Sequence, residues 1–219
     1  MGACPFTMDG TRMPTGVALR DARSQLLAAG ERVLLRDGPA GLTSRTVTDE
    51  AGVAKGVLHR HFADFDDFLA SLVRERIVAV NSMSVDLVDR AGSATVIRNL
   101  SATLFRLFDP LGLALVRLVL SRDQLRARLQ AGTRPGIPML AEAVNTLTEY
   151  LLAEQRAGRI VAGAAPAALA HALIGTGHLL FAGELGGLPD ESAVDEVVAT
   201  IIVGAEPGAD DVAVGEPRG

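Results

Sequence analysis

This 219-residue chain has four histidines, one lysine and one cysteine, so few side chains are available for imidazole, amine or thiol chemistry. Three of the six, Lys55, His59 and His61, fall in one run from Leu42 to Phe62, LTSRTVTDEAGVAKGVLHRHF. Thr43, Ser44 and Arg45 open that run, and Lys55, Gly56, Val57, His59, Arg60 and His61 close it. Hydroxyl, ammonium and guanidinium groups so arranged donate to phosphate oxygens and to the acceptor edge of guanine. A helix beginning at Ser44 would add its free N–H groups to the hydroxyls of Thr43 and Ser44, a setting that favours a phosphate.

Other chemistry is poorly represented. Cys4 lies in an N-terminal arm and makes a poor nucleophile, and one cysteine excludes both a disulfide framework and a multi-cysteine zinc site. The chain has neither a G-x-S-x-G elbow nor a Walker loop. Gly175-Thr176-Gly177 sits inside a helical pattern with no strand before it. His171 and His178 share a helical face and could reach a metal together with Glu184, but helical ligand pairs normally stand four residues apart. His59 and His61 diverge on a helix. The expectation is a protein without enzymatic activity, metal or cofactor.

The elements that would hold the Leu42–Phe62 run are helical. The hydrophobic fraction is 48% with only 4% aromatic, which suits aliphatic helix packing better than a sheet sandwich. From Leu19 to Leu35, Ala22, Leu26, Ala29 and Val33 form one apolar line and Leu27, Gly30 and Leu34 a second, before Asp37-Gly38-Pro39 stops the helix. Thr43 caps a short helix to about Glu50, Ala51-Gly52-Val53 turns, and a second short helix covers about Ala54 to His61. Asp64 caps a long helix whose first turn carries Asp66 and Asp67, and whose buried line is Phe65, Phe68, Leu69, Leu72, Val73, the stem of Arg76 and Ile77. Further helices are expected at about 94–108, 111–131, 137–157, 166–182 and 190–204. The fold class is all-α. Its parts are a loose arm at 1–16, a helix-turn-helix head at 17–63, a helical domain at 64–205 and a tail at 206–219.

Two observations bear on location. Val161 to Gly183 lacks Asp, Glu, Lys and Arg, but its Gly and Ala content, Pro166 and two histidines suit a helix buried on two sides rather than a membrane span. Residues 1–16 contain no apolar signal core, so a cytoplasmic protein with no membrane partner is expected.

Two short helices flanking Ala51-Gly52-Val53 have the spacing of a helix-turn-helix, with Gly52 supplying positive φ. Leu58 would lock the second helix inward while Lys55 reaches a guanine edge or phosphate. Residues about 19–72 resemble the DNA-binding domain of the TetR family of bacterial transcriptional regulators. The resemblance rests on Arg36-Asp37-Gly38, Leu42-Thr43-Ser44-Arg45, Ala51-Gly52-Val53, Gly56-Val57-Leu58, His61-Phe62 and Asp66-Asp67-Phe68-Leu69. The chain departs from the family pattern with His59 in place of Tyr, Phe65 in place of Lys, Ala54 in place of a capping Ser or Thr, and Val47-Thr48 in place of Ile-Ala. Charge adds a constraint. The whole chain carries −5, and residues 1–76 hold ten Lys or Arg against ten Asp or Glu, so a DNA contact needs a local patch.

The resemblance implies that the remaining helices bind an effector and form a homodimer. Helix 166–182 has one apolar line through Leu169, Leu173, Thr176 and Leu180 and another through His171, Ile174, His178 and Phe181, so it needs two partners. A second subunit would meet it, with helix 190–204 completing a four-helix bundle. The expected interface is Ile174, His178, Phe181, Val198 and Ile202. Leu100, Leu104, Phe108, Leu115, Val119, Leu140, Val144, Leu147 and Leu151 would wall an effector pocket. Asn99, Thr103, Arg106, Arg117, Asn145, Tyr150 and His178 are its candidate polar handles. Scarcity of charge on these helices favours a small, largely apolar effector. The function so implied is a ligand-responsive repressor whose two reading helices stand about 34–36 Å apart on a palindromic operator of double-stranded DNA. A helical adaptor that binds only protein is the competing reading.

Overall fold

Thr43 and Asp64, the two caps expected around the short helices, both cap in the computed structural model, which describes residues 16–131, 135–183 and 188–205. The arm before residue 16 and the tail after residue 205 lie outside the described residues, as does Glu184. Ten α-helices and one 3-10 turn account for the ordered elements among the described residues, with no strand.

Helix α1 (Gly16–Gly41) kinks at Gly38, whose φ of 69° only glycine takes readily, and Pro39 follows. The stop signal at Asp37-Gly38-Pro39 therefore bends the element and allows one more turn. Leu26, Leu27, Ala29, Val33 and Leu34 form its buried side. Gly30 lies flat against Phe68, where a Cβ would come within 2.6 Å of the ring.

Helix α2 (Ser44–Glu50) starts with reciprocal hydrogen bonds. The Thr46 amide donates to Thr43 Oγ1 at 3.2 Å, and the Thr43 amide donates to Thr46 Oγ1 at 2.9 Å. Gly52 turns the chain at φ 67°. The next element differs from the expected single helix: a 3-10 turn (Lys55–Val57) precedes α3 (Leu58–His61). Ala54 offers no side-chain acceptor, so the first turn tightens and the Val57 amide donates to the Ala54 carbonyl at 2.8 Å.

Helix α4 (Phe65–Val88) is 24 residues long, about 36 Å at the helical rise, and runs from the head into the body. The expected line along it is buried at Phe68, Leu69, Leu72, Val73 and Ile77, while Phe65 and Arg76 are half-buried.

The body comprises α5 (Val96–Leu107), α6 (Pro110–Ser121), α7 (Asp123–Gln130), α8 (Leu140–Arg156), α9 (Pro166–Phe181) and α10 (Glu191–Ile202). The expected helix over 111–131 is thus two helices, broken where Arg122 takes an extended conformation (φ −133°, ψ 96°). Ser121 Oγ donates back to the Leu118 carbonyl at the break, a bond that competes with the helical ladder.

The core has two parts. One joins α1–α4 to α6 and α7 through Leu115, Leu118, Val119, Leu125 and Leu129. The other fills the body between α4, α5, α8, α9 and α10. Head and body are therefore not joined by α4 alone, because α1 packs directly on α6.

Candidate nucleic-acid interface

The recognition element is anchored by Leu58, which is wholly buried, and presents Lys55, Gly56, His59 and Arg60 to solvent. Val57 and His61 are half-buried, and Nε2 of His61 is enclosed without a hydrogen-bond partner. Among the described residues no carboxylate pairs with Lys55, His59 or Arg60, so their donors face outward uncommitted. Arg45 is also exposed and lies 3.6 Å from Asp49, one turn along α2. An exposed pair of this kind contributes little and is easily exchanged for a phosphate. The Thr43 hydroxyl is used in the cap, while Oγ of Ser44 is enclosed and unpaired.

Arg32, which no motif singles out, and Arg36 of the Arg36-Asp37-Gly38 motif prove structural. Nε of Arg32 donates to Glu50 at 2.8 Å and a terminal nitrogen of Arg36 donates to it at 2.7 Å, tying α1 to the end of α2. Hydrogen bonds from these two guanidinium groups hold the Glu50 carboxyl below its ordinary range. No local pattern announces this clamp, since it joins separate helices.

The departures at the head also have structural outcomes. Oγ1 of buried Thr48 donates to the carbonyls of Ser44 and Arg45, so its hydroxyl is satisfied inside α2. Phe65 stacks on Phe68 with centroids 5.5 Å apart, and Phe62 meets Phe68 edge-on at 5.1 Å. A side chain that replaces a cation thus serves the aromatic seam beneath the recognition element.

The candidate effector handles do not converge. Nδ2 of Asn99 donates to Oη of Tyr150 at 3.0 Å and to the Ser93 carbonyl at 2.9 Å, and Oγ1 of Thr103 donates to the Asn99 carbonyl at 2.7 Å. Tyr150 in turn hydrogen-bonds Glu154, and burial pushes its phenol well above the usual range. These three residues satisfy one another within the core. Arg106 is exposed, 4.0 Å from Asp86. Arg117 and Asn145 line two different cavities, and half-buried His178 sits with its ring 6.0 Å from that of Phe108. Of the expected walls, Leu115 and Val119 belong to the head-side core. Leu100, Leu104, Phe108, Leu147 and Leu151 pack together in the body, and Leu140 and Val144 border a groove between α8 and α9.

Four of the five expected interface residues are covered within the single chain, and the fifth, His178, is half-buried. Ile174 and Phe181 are buried in their own chain, as are Val198 and Ile202. Phe181 packs against Phe105 at 5.0 Å and Phe108 at 5.7 Å. Because α9 packs on α8 and α10 and its end meets the aromatics of α5, Ile174 and Phe181 are covered within the chain, while His171 of the same line stays in solvent. The side of α9 left in solvent carries Ala168, His171, Ala172, Gly175 and Leu179. Among the described residues no helix is long and apolar enough to cross a membrane.

Head, connecting helix and body together define an all-helical protein with an N-terminal helix-turn-helix. Residues 26–72 match the family model described as bacterial regulatory proteins, tetR family, so the chain carries the DNA-binding head of that family, as the sequence resemblance indicated. The fold agrees over most of the chain. Reduced E. coli NemR is 16% identical with a TM-score of 0.67, covering 86% of this chain and 100% of that one. SmeT, the repressor of the Stenotrophomonas maltophilia multidrug efflux pump SmeDEF, is 18% identical with a TM-score of 0.59, covering 89% and 96%. FadR from Bacillus subtilis, a transcriptional regulator solved with stearoyl-CoA, is 18% identical with a TM-score of 0.62, covering 84% and 99%. No curated protein matches the sequence. Head and body together thus have the architecture of TetR-family transcriptional regulators.

Proposed function

We propose that this protein is a cytoplasmic, DNA-binding transcriptional repressor that grips a palindromic operator as a homodimer and releases it when a small, largely apolar effector binds. One observation carries the reading: Lys55, His59 and Arg60 stand in solvent on the recognition element while Leu58 fixes that element to the core. Lys55 and Arg60 supply phosphate or guanine contacts, and Arg45 supplies a phosphate contact from α2. Thr43 and Ser44 contribute at the backbone, and Gly56 and Val57 let the duplex approach closely. A second subunit on the exposed side of α9 sets the two heads about one helical turn of DNA apart. That SmeT is a repressor and that FadR holds stearoyl-CoA support repression and ligand binding on this architecture.

The test is a gel shift and footprint with DNA flanking the protein's own gene, extended to genomic fragments selected by binding. A two-fold symmetric footprint is expected. Failure to retain any fragment at low salt overturns the reading and leaves the protein-only adaptor.

A further inference from the structure

A cavity of about 640 Å³ lies at the seam between head and body. Its wall draws Leu35 and Pro39 from α1, Phe105 from α5, Leu113 from α6, Phe181 from the end of α9 and Leu188 from the segment entering α10. Its size falls in the range of small-molecule sites. Leu35 is 50% exposed and Leu188 is 79% exposed, so two large aliphatic side chains meet water at the edge of one apolar hollow. Scattered singly, such residues mean nothing; gathered on a cavity, they mark a place for apolar matter.

Among the described residues the wall holds one cation and one acid, and the acid already faces another cation. Arg117 stands in the wall and donates one hydrogen bond to the Ala182 carbonyl at 3.2 Å. Among the described residues no carboxylate pairs with it. Asp109, the acid in the same wall, is committed elsewhere: it accepts from the Gly112 amide at 2.6 Å and faces Arg76 at 3.0 Å. A ligand entering the seam therefore meets apolar surface and one available guanidinium. Among the described residues, the groove between α8 and α9 offers Asn145, Thr148 and His171 but neither Arg nor Lys.

We propose that the seam cavity is the effector site and that its occupant is an organic anion with an apolar tail, its carboxylate held by Arg117. The consequence for DNA rests on the regulatory reading above; the binding itself does not. The occupant touches α1 of the head and α5, α6 and α9 of the body together, so its affinity depends on how the head sits. By linkage, it shifts the head by the same free energy.

The experiment uses the full chain, calorimetry and three probes below their micelle concentrations: dodecanoate, dodecanol and dodecyltrimethylammonium. Dodecanoate binds about tenfold tighter than dodecanol, the value of one charge-assisted hydrogen bond at a partly open site, and the cation does not bind. Arg117→Gln brings the two affinities level without weakening dodecanol. Ala114→Phe, which places a ring in the cavity from its α6 wall, weakens both. Circular dichroism checks its fold, and exposed Arg117→Gln keeps the experiment decisive if Phe disturbs packing. Equal affinities on the unaltered protein, or dodecanoate binding unaffected by Arg117→Gln, overturns the site. Dodecanoate must also change operator affinity in the unaltered protein, and in Arg117→Gln the same change must need about ten times the concentration. Binding without that change overturns the coupling. A chain that binds dodecanoate in this pattern but binds no DNA would fail the regulatory reading and leave the cavity assignment standing.

Discussion

Arg76 and Asp109 face each other at 3.0 Å, and through them the long connecting helix is pinned to the joint between α5 and α6. The same guanidinium donates to the carbonyls of Arg106 at 2.8 Å and Leu107 at 3.4 Å, so it satisfies the end of α5 while pairing with the N-cap of α6. Its side chain is only 14% exposed. Arg76→Met should lower unfolding stability in urea by about 1–3 kcal/mol, because it strips two carbonyls of this donor and leaves Asp109 without its cation. Burial, with Glu75 next, raises the Glu31 carboxyl above its ordinary range, and Arg76 opposes that rise. The Glu31 pKa, followed by carboxyl NMR, should therefore climb further in the variant. A stability within experimental error of the parent would show that the pin holds nothing.

Lys55 and Arg60 should act as phosphate or base contacts without structural duty. Replacing both with Ala leaves circular dichroism and dimer mass unchanged, abolishes operator binding at physiological salt and flattens the salt dependence. For every phosphate that the variant no longer neutralises, the slope of log affinity against log salt should fall by about 0.9. An unchanged slope would place the reading surface elsewhere.

Local chemistry was legible in the sequence, and pairing across helices was not. Thr43, Gly52 and the capping bond of Asp64 act within four residues of themselves, so caps and turn can be read from spacing, and the head follows. Asn99 and Tyr150 look alike to a reader seeking ligand handles, yet they are 51 residues apart and bond each other. The two apolar lines of α9 declare that both sides are covered without saying which covers which. Packing on α8 and on the aromatics of α5 assigns Ile174 and Phe181 to the chain's own core. The break at Arg122 was hidden because both flanking segments keep helical periodicity.

That assignment changes which substitution should separate two subunits. Ala172 is exposed on α9, whereas Ile174 on the neighbouring face is buried. Ala172→Arg, or Leu179→Arg one further stretch along the same side, should halve the sedimenting mass with stability within about 0.5 kcal/mol of the parent monomer's own packing. Ile174→Arg should instead unfold the protein, since an unpaired charge in the core costs about 3 kcal/mol or more. A dimer that survives Arg at both 172 and 179 would move the interface off α9.

Asp64 ties the start of α4 to α7. Two guanidinium nitrogens of Arg128 donate to its two carboxylate oxygens at 2.8 and 3.0 Å, and the Asp67 amide donates to Oδ1 at 2.6 Å. Arg122 lies 4.0 Å from neighbouring Asp66 and adds a second, weaker link to the same region. The Arg128 hydrogen bonds first, then the Asp67 amide, hold the Asp64 carboxyl below its ordinary range. Because the folded value is depressed, the link is complete above the unfolded carboxylate value of about 3.9 and is lost as pH falls through the lower folded value. Nothing should change at this joint between neutral pH and about pH 5, where both states remain ionised. Carboxyl NMR on the protein should find Asp64 titrating below its unfolded value, and Arg128→Met should bring it part of the way back, the Asp67 amide keeping the rest. Asp64→Asn keeps a cap acceptor and loses the ion pair, so it should destabilise less than Asp64→Ala. Equal destabilisation would mean that the cap contributes nothing, and an unshifted Asp64 in Arg128→Met would mean that the pair is absent in solution.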